Sequence, residues 1–157
     1  MESLAKQAYV RPVKSEDLRA INDLEEACFK DPFPSYFISQ LADQNPNTFL
    51  VAVDNGNVVG YAVVDNWSDH QHLVSIAVRA DLRRKGIGQA LLDGLTERSR
   101  EGPLRLELRR SNKSALALYL KNGFRQTGTA HGYYTDGEDA IQMEKLIEKR
   151  AEILAAA

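Results

Sequence analysis

The segment at residues 83–88 combines positive charge with glycine in a way that suits an anionic ligand. It consists of Arg83, Arg84, Lys85, Gly86, Ile87 and Gly88. An apolar run at residues 73–78 precedes it and a run of good helix formers at 89–95 follows, which is typical of a strand, a turn and a helix. Glycine lets the backbone approach a ligand closely, and the unpaired first amides of the helix favour an anion. The segment therefore predicts a site for a di- or triphosphate group.

Other phosphate-binding patterns do not fit this segment. Its spacing is neither that of a nucleotide triphosphatase loop, G-x-x-x-x-G-K-[ST], nor that of the dinucleotide fingerprint, G-x-G-x-x-G. A basic loop that caps a helix, with its charges merely solvated, is the alternative that stays open at this point. The rest of the chain is needed to choose between the two.

Length and charge limit the class of protein. With 157 residues the chain fits one domain, and its net charge of −2 gives no overall attraction to nucleic acid or to anionic membranes. The basic residues cluster locally instead, at residues 79–85 and 105–110, which suits a small polyanionic ligand. Nucleic-acid binding through the arginine cluster ranks last among the alternatives because the chain as a whole is negative.

Nothing in the sequence indicates an oxidising compartment or a membrane. Cys28 is the only cysteine, which excludes an intramolecular disulfide, and it falls on an apolar helix face, where we expect a core residue. No apolar run approaches the length of a membrane span, and residues 1–8 lack the apolar stretch of a secretion signal. We therefore expect a cytoplasmic protein.

The predicted elements follow the order β-α-α-β-β-β-α-β-α-β-β, a mixed α/β domain whose strands do not alternate regularly with helices. Strands are expected at residues 9–13, 48–53, 58–64, 73–78, 104–109, 124–129 and 140–146. Helices are expected from about 15 to 29, 35 to 41, 89 to 99 and 112 to 122. The expected N-caps are Ser15, Ser35 and either Ser111 or Asn112, and Gly123 is the expected C-terminal glycine of the last helix.

Two histidines, His70 and His72, alternate around Gln71 just before the fourth predicted strand. They lack a partnering cysteine, histidine or carboxylate cluster and so make a poor metal site. We therefore expect both histidines on the surface, and no metal.

Several separate stretches together resemble one family of enzymes. They are Ser75-Ile76-Ala77-Val78 leading into the R-x-x-G-x-G form of the basic turn, Leu106-Glu107-Leu108-Arg109, Ser111-Asn112, Ala117-Leu118-Tyr119, Asn122-Gly123-Phe124, and Tyr133-Tyr134-Thr135-Asp136-Gly137-Glu138-Asp139-Ala140. Over roughly residues 9–146 the chain resembles the GNAT superfamily of N-acetyltransferases. Its Tyr-Tyr loop is similar to that of the N-terminal α-amino acetyltransferases, namely the RimI-type ribosomal-protein alanine acetyltransferases and their archaeal relatives.

The resemblance implies a single N-acetyltransferase domain over residues 1–157, with a core at about 9–146 and a tail at 147–157. Its mixed central sheet would have about six to seven strands, splayed between strands 4 and 5 and flanked by about four helices. The implied activity is transfer of an acetyl group from acetyl-CoA to the free N-terminal α-amino group of a protein, by direct attack in a ternary complex. A ribosomal protein is one candidate substrate. We expect a monomer or a weak homodimer, with no nucleic-acid or membrane partner.

The family's functional residues can be carried over onto the matching positions of this sequence. The implied cofactor-binding residues are Ile76, Ala77, Val78, Arg83, Arg84, Lys85, Gly86, Ile87, Gly88, Gln89, Asn112 and Tyr119. The pyrophosphate of acetyl-CoA would lie on the amides of residues 84–89, and the pantetheine arm would bond to the backbone of residues 76–78. Glu107 matches the general base and Tyr119 the general acid. The implied peptide-flanking residues are Phe33, Tyr133 and Tyr134.

Each of these side chains also has an ordinary structural explanation. Glu107 would pair with Arg105 or Arg109 on the surface of its strand. Tyr119 and Phe33 would fill the core, and the two tyrosines of the loop would be strand-edge aromatics. At the level of function, the alternatives are an acetyltransferase for lysine side chains or small-molecule amines, and a non-catalytic acyl-CoA-binding sensor. A lysine amine, with a pKa near ~10.4, demands a stronger base than an α-amine does.

Overall fold

The computed structural model describes residues 8–149, so residues 1–7 and most of the predicted tail at 147–157 lie outside the described residues. The described residues contain seven strands and four α-helices in the predicted order. The strands are β1 (Tyr9–Pro12), β2 (Phe49–Asp54), β3 (Asn57–Asn66), β4 (Gln71–Val78), β5 (Gly102–Arg109), β6 (Arg125–Ala130) and β7 (Ala140–Ile147). The helices are α1 (Leu18–Cys28), α2 (Ser35–Gln44), α3 (Ile87–Arg98) and α4 (Lys113–Lys121). None of these helices is long and apolar enough to cross a membrane.

The seven strands form a mixed sheet in the order β1-β2-β3-β4-β5-β7-β6. β4 and β5 pair in parallel, whereas β1 with β2, β2 with β3, and β7 with both β5 and β6 pair antiparallel. Although both strands have eight residues, the parallel ladder consists of two residue pairs, Gln71 with Leu104 and His72 with Arg105. The sheet of seven strands, its short parallel ladder and the four helices confirm the predicted fold class.

The chain divides into two compact units. Among the described residues, the first unit comprises 8–65 together with Val74–Arg98, and the second comprises Asn66–Leu73 together with 99–149. The first unit therefore holds β1 to β3, most of β4, and helices α1, α2 and α3. The second holds the start of β4, the strands β5 to β7, and α4.

In the first unit, the two faces of β2 pack against different helices. One face joins the apolar sides of α1 and α2 in a cluster formed by Ile21, Leu24, Ile38, Leu41, Phe49, Val51, Val53, Tyr61 and Val63. The other face packs against α3, where Leu50 lies close to Gly94. On β3, a Cβ at Gly60 would lie 2.9 Å from the carbonyl oxygen of Ala77 and 3.3 Å from Leu91. Glycine at this position therefore allows the close packing that holds α3 against the sheet.

The first two predicted N-caps are wrong. Ser15 lies in a 3-10 turn before α1, because the carboxylate of Asp17 accepts the Lys14 amide at 2.7 Å and pairs with Arg11 at 2.8 Å. Ser35 is the first residue of α2 and makes no side-chain cap. A buried aspartate and a proline turn thus start these helices in place of the two serines.

In the second unit, β5, β7 and β6 form an antiparallel sheet segment with α4 attached. β5 alternates as predicted: Leu104, Leu106 and Leu108 are buried, and the residues between them are more exposed. Asn112 caps α4 by accepting the amide of Ala115 at 3.2 Å, which confirms the predicted cap. Gly123 has a φ of 88°, as a C-terminal glycine requires.

Candidate active site

The basic glycine turn connects the end of β4 to the start of α3, as predicted. Arg84 and Gly86 both have positive φ angles, 64° and 86°, so two residues of the turn, two positions apart, are left-handed. Left-handed residues in a turn can bring backbone amides together as an anion site. Arg84 is strained in this conformation, since only glycine adopts it freely. The backbone is therefore shaped for a polyanion, and the side chains of Arg84 and Lys85 are exposed beside it.

Arg83 is directed toward the end of β4. Its Nε donates to the carbonyl oxygen of Val78 at 3.0 Å, and its Nη2 lies 3.4 Å from the Sγ of Cys28. Cys28 is half-buried and packs against the apolar cluster of the first unit, in agreement with the core position predicted for it. Arg83 thus links α1, β4 and the turn, and its predicted contact with a phosphate stays a prediction.

Glu107 forms a hydrogen bond with a histidine. Its Oε1 lies 2.8 Å from Nε2 of His72, and both side chains are about four-fifths buried, with 20% and 18% exposed. The alternative partners of Glu107 are occupied elsewhere: Arg105 binds Glu144 at 2.8 Å, and Arg109 binds the loop between β6 and β7. The carboxylate is thus the acceptor in a largely buried polar pair.

The prediction that His70 and His72 are surface residues is wrong. His70 is 7% exposed and pairs with Asp69 at 2.9 Å. β4 begins at Gln71, two residues earlier than predicted, so the alternation of buried and half-buried residues along the strand already includes His72. The polar composition of residues 67–71 concealed this start. A signal was present in the period-two spacing of His70 and His72.

Tyr119 is buried on α4, with its ring packed edge-on against Phe124 at 5.4 Å between centroids. Burial, helped by the neighbouring Tyr134, raises the pKa of Tyr119 above the ordinary value for tyrosine, so the hydroxyl keeps its proton. A buried phenol that keeps its proton is suited to donate it to a ligand.

Arg109 holds the Tyr-Tyr loop in place. Its guanidinium binds Asp136 at 3.0 Å and Glu138 at 2.8 Å, and it lies 4.1 Å above the ring of Tyr134. The second oxygen of Glu138 accepts the amide of Ser111 at 2.7 Å. The acidic residues of the loop motif therefore serve to anchor it to the end of β5.

The two tyrosines of that loop differ in environment. Tyr133 is 54% exposed and its ring meets that of Tyr134 edge-on, 4.9 Å away. Burial and the charge of Glu107 raise the pKa of Tyr133, so the loop lies within electrostatic reach of the Glu107 carboxylate. Burial raises the pKa of Tyr134 to about 12. The loop thus presents one exposed and one sheltered aromatic ring near the His72–Glu107 pair.

Phe33 has an exposed ring and an anchored backbone. The ring is 37% exposed and tilts against Phe37, so Phe33 does not fill the core. Its amide donates to Oε2 of the buried Glu25 at 2.9 Å, and the other oxygen of Glu25 accepts the hydroxyl of Tyr61. This anchoring carboxylate was not anticipated from the sequence. Its only sequence signal is a glutamate placed next to buried Leu24 on α1.

Asn112, a predicted cofactor-binding residue, is also the N-cap of α4. Its Oδ1 accepts the Ala115 amide and lies 3.4 Å from the hydroxyl of Ser114, so that oxygen is committed to the helix cap. The contact of Asn112 with a cofactor stays a prediction. The same holds for Ile76 and Val78, which lie on the half-buried side of β4, and for Ala77, which is buried on the opposite side.

A mixed sheet with one parallel pair, a basic glycine turn that opens a helix on that sheet, and a carboxylate on the following strand are the marks of an acetyl-CoA-dependent N-acetyltransferase. The comparison with known families agrees, because residues 18–124 match the acetyltransferase (GNAT) family. The chain belongs to this family. Its members use acetyl-CoA, and the chain is an acetyltransferase.

The chain is similar to several acetyltransferases over most of its length. An uncharacterized N-acetyltransferase from Methanocaldococcus jannaschii is 37% identical, with 87% of this chain and 90% of the relative covered. An N-alpha-acetyltransferase from Sulfurisphaera tokodaii is 32% identical, with 88% and 92% covered. The crystal structure of the ribosomal-protein-S18-alanine N-acetyltransferase from Escherichia coli superimposes with a TM-score of 0.79 at 31% identity, covering 90% of this chain and 95% of that one.

Proposed function

We propose that this protein transfers the acetyl group of acetyl-CoA to the free α-amino group at the N-terminus of proteins. The observation that carries the proposal is the Glu107 carboxylate, which is hydrogen-bonded to His72 and lies on the same strand as Arg109, the residue that holds the Tyr-Tyr loop. A base next to an aromatic surface suits a peptide that enters with its amine first. The N-alpha-acetyltransferase of Sulfurisphaera and the alanine N-acetyltransferase of Escherichia support the same acceptor.

The proposed chemistry needs one base and one acid. When bound, acetyl-CoA supplies an acetyl group activated as a thioester. Glu107 accepts the proton that the amine loses as its nitrogen bonds to the acetyl carbon, and Tyr119 donates a proton to the sulfur as the carbon–sulfur bond breaks. An α-amine, with a pKa near ~7.7–8.0, is partly neutral at neutral pH, so a single carboxylate base suffices. The reaction therefore needs no covalent intermediate on the protein.

The basic glycine turn fits the pyrophosphate of acetyl-CoA. Arg84 and Gly86 are left-handed, and the turn leads directly into a twelve-residue helix whose first amides favour an anion. We propose that the amides of residues 84–89 hold the pyrophosphate, with Arg84 and Lys85 adding positive charge. We also propose that the backbone of residues 76–78 binds the pantetheine arm. Residues 1–157 would act as one acetyltransferase domain.

The proposed acceptor is a protein N-terminus flanked by Phe33, Tyr133 and Tyr134. The activity of the Escherichia neighbour makes a ribosomal protein one candidate. A cytoplasmic location belongs to this proposal, because newly made N-termini and acetyl-CoA meet in the cytoplasm. We also propose a monomeric or weakly dimeric state.

The proposal is tested by acetyl transfer to short peptides. We expect acetylation of peptides with free N-termini that begin with Ala, Ser, Met or Glu, and none of an N-terminally blocked peptide that contains lysine. Mass spectrometry would locate the acetyl group. Transfer to the blocked peptide would show that the acceptor is a lysine side chain and not the N-terminal amine. Tight acetyl-CoA binding without transfer to any peptide would favour the non-catalytic sensor.

Tyr119→Phe is expected to lower kcat by roughly a hundredfold, the lower end of the usual contribution of a positioned acid. The aromatic packing on Phe124 is kept, so the melting temperature should stay close to that of the parent protein. Steady-state kinetics and thermal unfolding measure the two quantities. Tyr36→Phe removes the hydroxyl of a 73% exposed tyrosine and serves as the control. Unchanged kcat in Tyr119→Phe would exclude Tyr119 as the acid.

A further inference from the structure

The loop between β3 and β4, residues 67–70, is held firmly by Arg100. The Arg100 guanidinium donates to the carbonyl oxygen of Trp67, to that of His70 at 3.2 Å, and to Oδ1 of Asn66 at 3.3 Å. Within the loop, the amide of Trp67 donates to the His70 carbonyl at 3.0 Å. The backbone that carries the Trp67 indole is therefore fixed.

Gln71 ties the loop to the chain segment before β5. The side-chain Nε2 of Gln71 donates to the backbone carbonyl oxygen of Arg100 at 2.8 Å, and its Oε1 accepts the backbone amide of Arg100 at 2.8 Å. Gln71 is fully buried, so this two-way bond is shielded from water. The loop and the first residue of β4 thus form one rigid support for the next residue, His72.

The Trp67 indole stacks on the ring of His72. The ring centroids are 5.5 Å apart and the planes differ by 17°, while His70 meets both rings edge-on, at 4.6 Å from Trp67 and 5.7 Å from His72. Trp67 is nevertheless 49% exposed. An aromatic ring that is half in water and stacked on a site histidine calls for an explanation beyond core packing.

The hydrogen bonding of His72 is incomplete. Nε2 faces Glu107, but Nδ1 is buried and has no partner in the described part of the chain. A histidine is usually oriented by a hydrogen bond to its second ring nitrogen, and here that bond is missing. Besides the bond to Glu107, the contact that orients the ring is therefore the stacking of Trp67.

The same geometry determines which ring nitrogen carries the proton. A proton on Nδ1 would bury an N–H without an acceptor and would turn a lone pair of Nε2 toward the carboxylate of Glu107. A proton on Nε2 is donated to Glu107, and the bare Nδ1 is then the only unsatisfied atom of the ring. The geometry thus favours the Nε2–H tautomer.

We propose that Trp67 is a positioning residue, which by stacking on His72 holds that ring as the Nε2–H tautomer that donates to Glu107. The inference rests on the proposed function in that Glu107 is taken as the base. In this role Trp67 acts through His72 and not on the substrate. It fixes the direction from which the Glu107 oxygen receives its hydrogen bond.

The first test is the nitrogen spectrum of His72 in the full chain, labelled with nitrogen-15 in histidine, at pH 8 and without ligands. We expect the Nε2–H pattern in the parent protein and in Trp67→Phe, which keeps a stacking ring. Trp67→Leu should show averaged tautomers. His131, which is 84% exposed and lies beside Asp139, should be unchanged in all three proteins and serves as the internal control.

Transfer kinetics provide the second readout. We expect kcat/KM to fall roughly tenfold in Trp67→Leu, as misplaced catalytic groups do, and to stay within about threefold of the parent in Trp67→Phe. Tyr36→Leu removes another exposed aromatic ring and should leave kcat/KM unchanged.

Three results would overturn the inference: an Nδ1–H pattern in the parent protein, an unchanged His72 spectrum in Trp67→Leu, or no rescue by phenylalanine. If Trp67→Leu does not fold, the parent and Trp67→Phe spectra still decide the tautomer. If the parent protein transfers no acetyl group, the proposed function fails, whereas the His72 spectrum still tests the positioning role.

Discussion

Glu107→Gln is expected to lower kcat for acetyl transfer by roughly two to three orders of magnitude, within the range for loss of a general base. The amide has the same shape as the carboxylate and can still accept the hydrogen bond from Nε2 of His72. It cannot take a proton from the amine. The loss should therefore fall on kcat, with little change in the KM for acetyl-CoA or in the melting temperature.

Glu144→Gln is the matched control for this experiment. Glu144 lies on β7, is exposed to a similar extent as Glu107, and binds Arg105 at 2.8 Å. Steady-state kinetics over pH 6 to 9 should show kcat close to that of the parent in Glu144→Gln and depressed throughout in Glu107→Gln. If both variants keep full kcat, Glu107 is not the base. If both lose it equally, the effect comes from the sheet and not from the carboxylate.

The placement of Glu107 on a polar strand face could be predicted, but its partner could not. The strict alternation of residues 104–109 determines which residues of β5 are buried, since successive side chains point to opposite faces. The contact with His72 depends on the register of a parallel pair, Gln71 with Leu104 and His72 with Arg105. The residues of each pair are more than thirty positions apart in the chain, and no local pattern specifies that register.

Prediction from residue type also failed where two neighbouring polar side chains could start the same helix. Ser15 is a good N-cap by residue type, yet Asp17 takes the Lys14 amide because Arg11 holds its carboxylate in place. Of the two candidates predicted for α4, Ser111 and Asn112, it is Asn112 that caps the helix. The link from Arg109 to the acidic residues of the Tyr-Tyr loop spans more than twenty-five residues, so the anchoring of the loop is visible only in the folded chain. Local chemistry therefore predicted the elements well, and the contacts between them less well.

Gly86→Val is expected to weaken acetyl-CoA binding by about tenfold or more, since the left-handed conformation that shapes the turn is unfavourable for a β-branched residue. Gly86 has a φ of 86°, and a Cβ at this position would meet no atom within 4 Å. The valine side chain thus has room, and any loss of affinity comes from the backbone conformation. Isothermal titration calorimetry with acetyl-CoA measures the dissociation constant.

Gly56→Val separates ligand binding from backbone strain. Gly56 lies in the turn between β2 and β3 and has a φ of 81°, and a Cβ there would likewise meet no atom within 4 Å. Both variants should therefore lose a similar free energy of unfolding, roughly 1–2 kcal/mol, in urea titrations. Only Gly86→Val should lose affinity for acetyl-CoA. If the two variants bound acetyl-CoA with equal affinity, the strained turn at Gly86 would affect binding no more than a strained turn elsewhere. The turn conformation at Gly86 would then not hold the pyrophosphate.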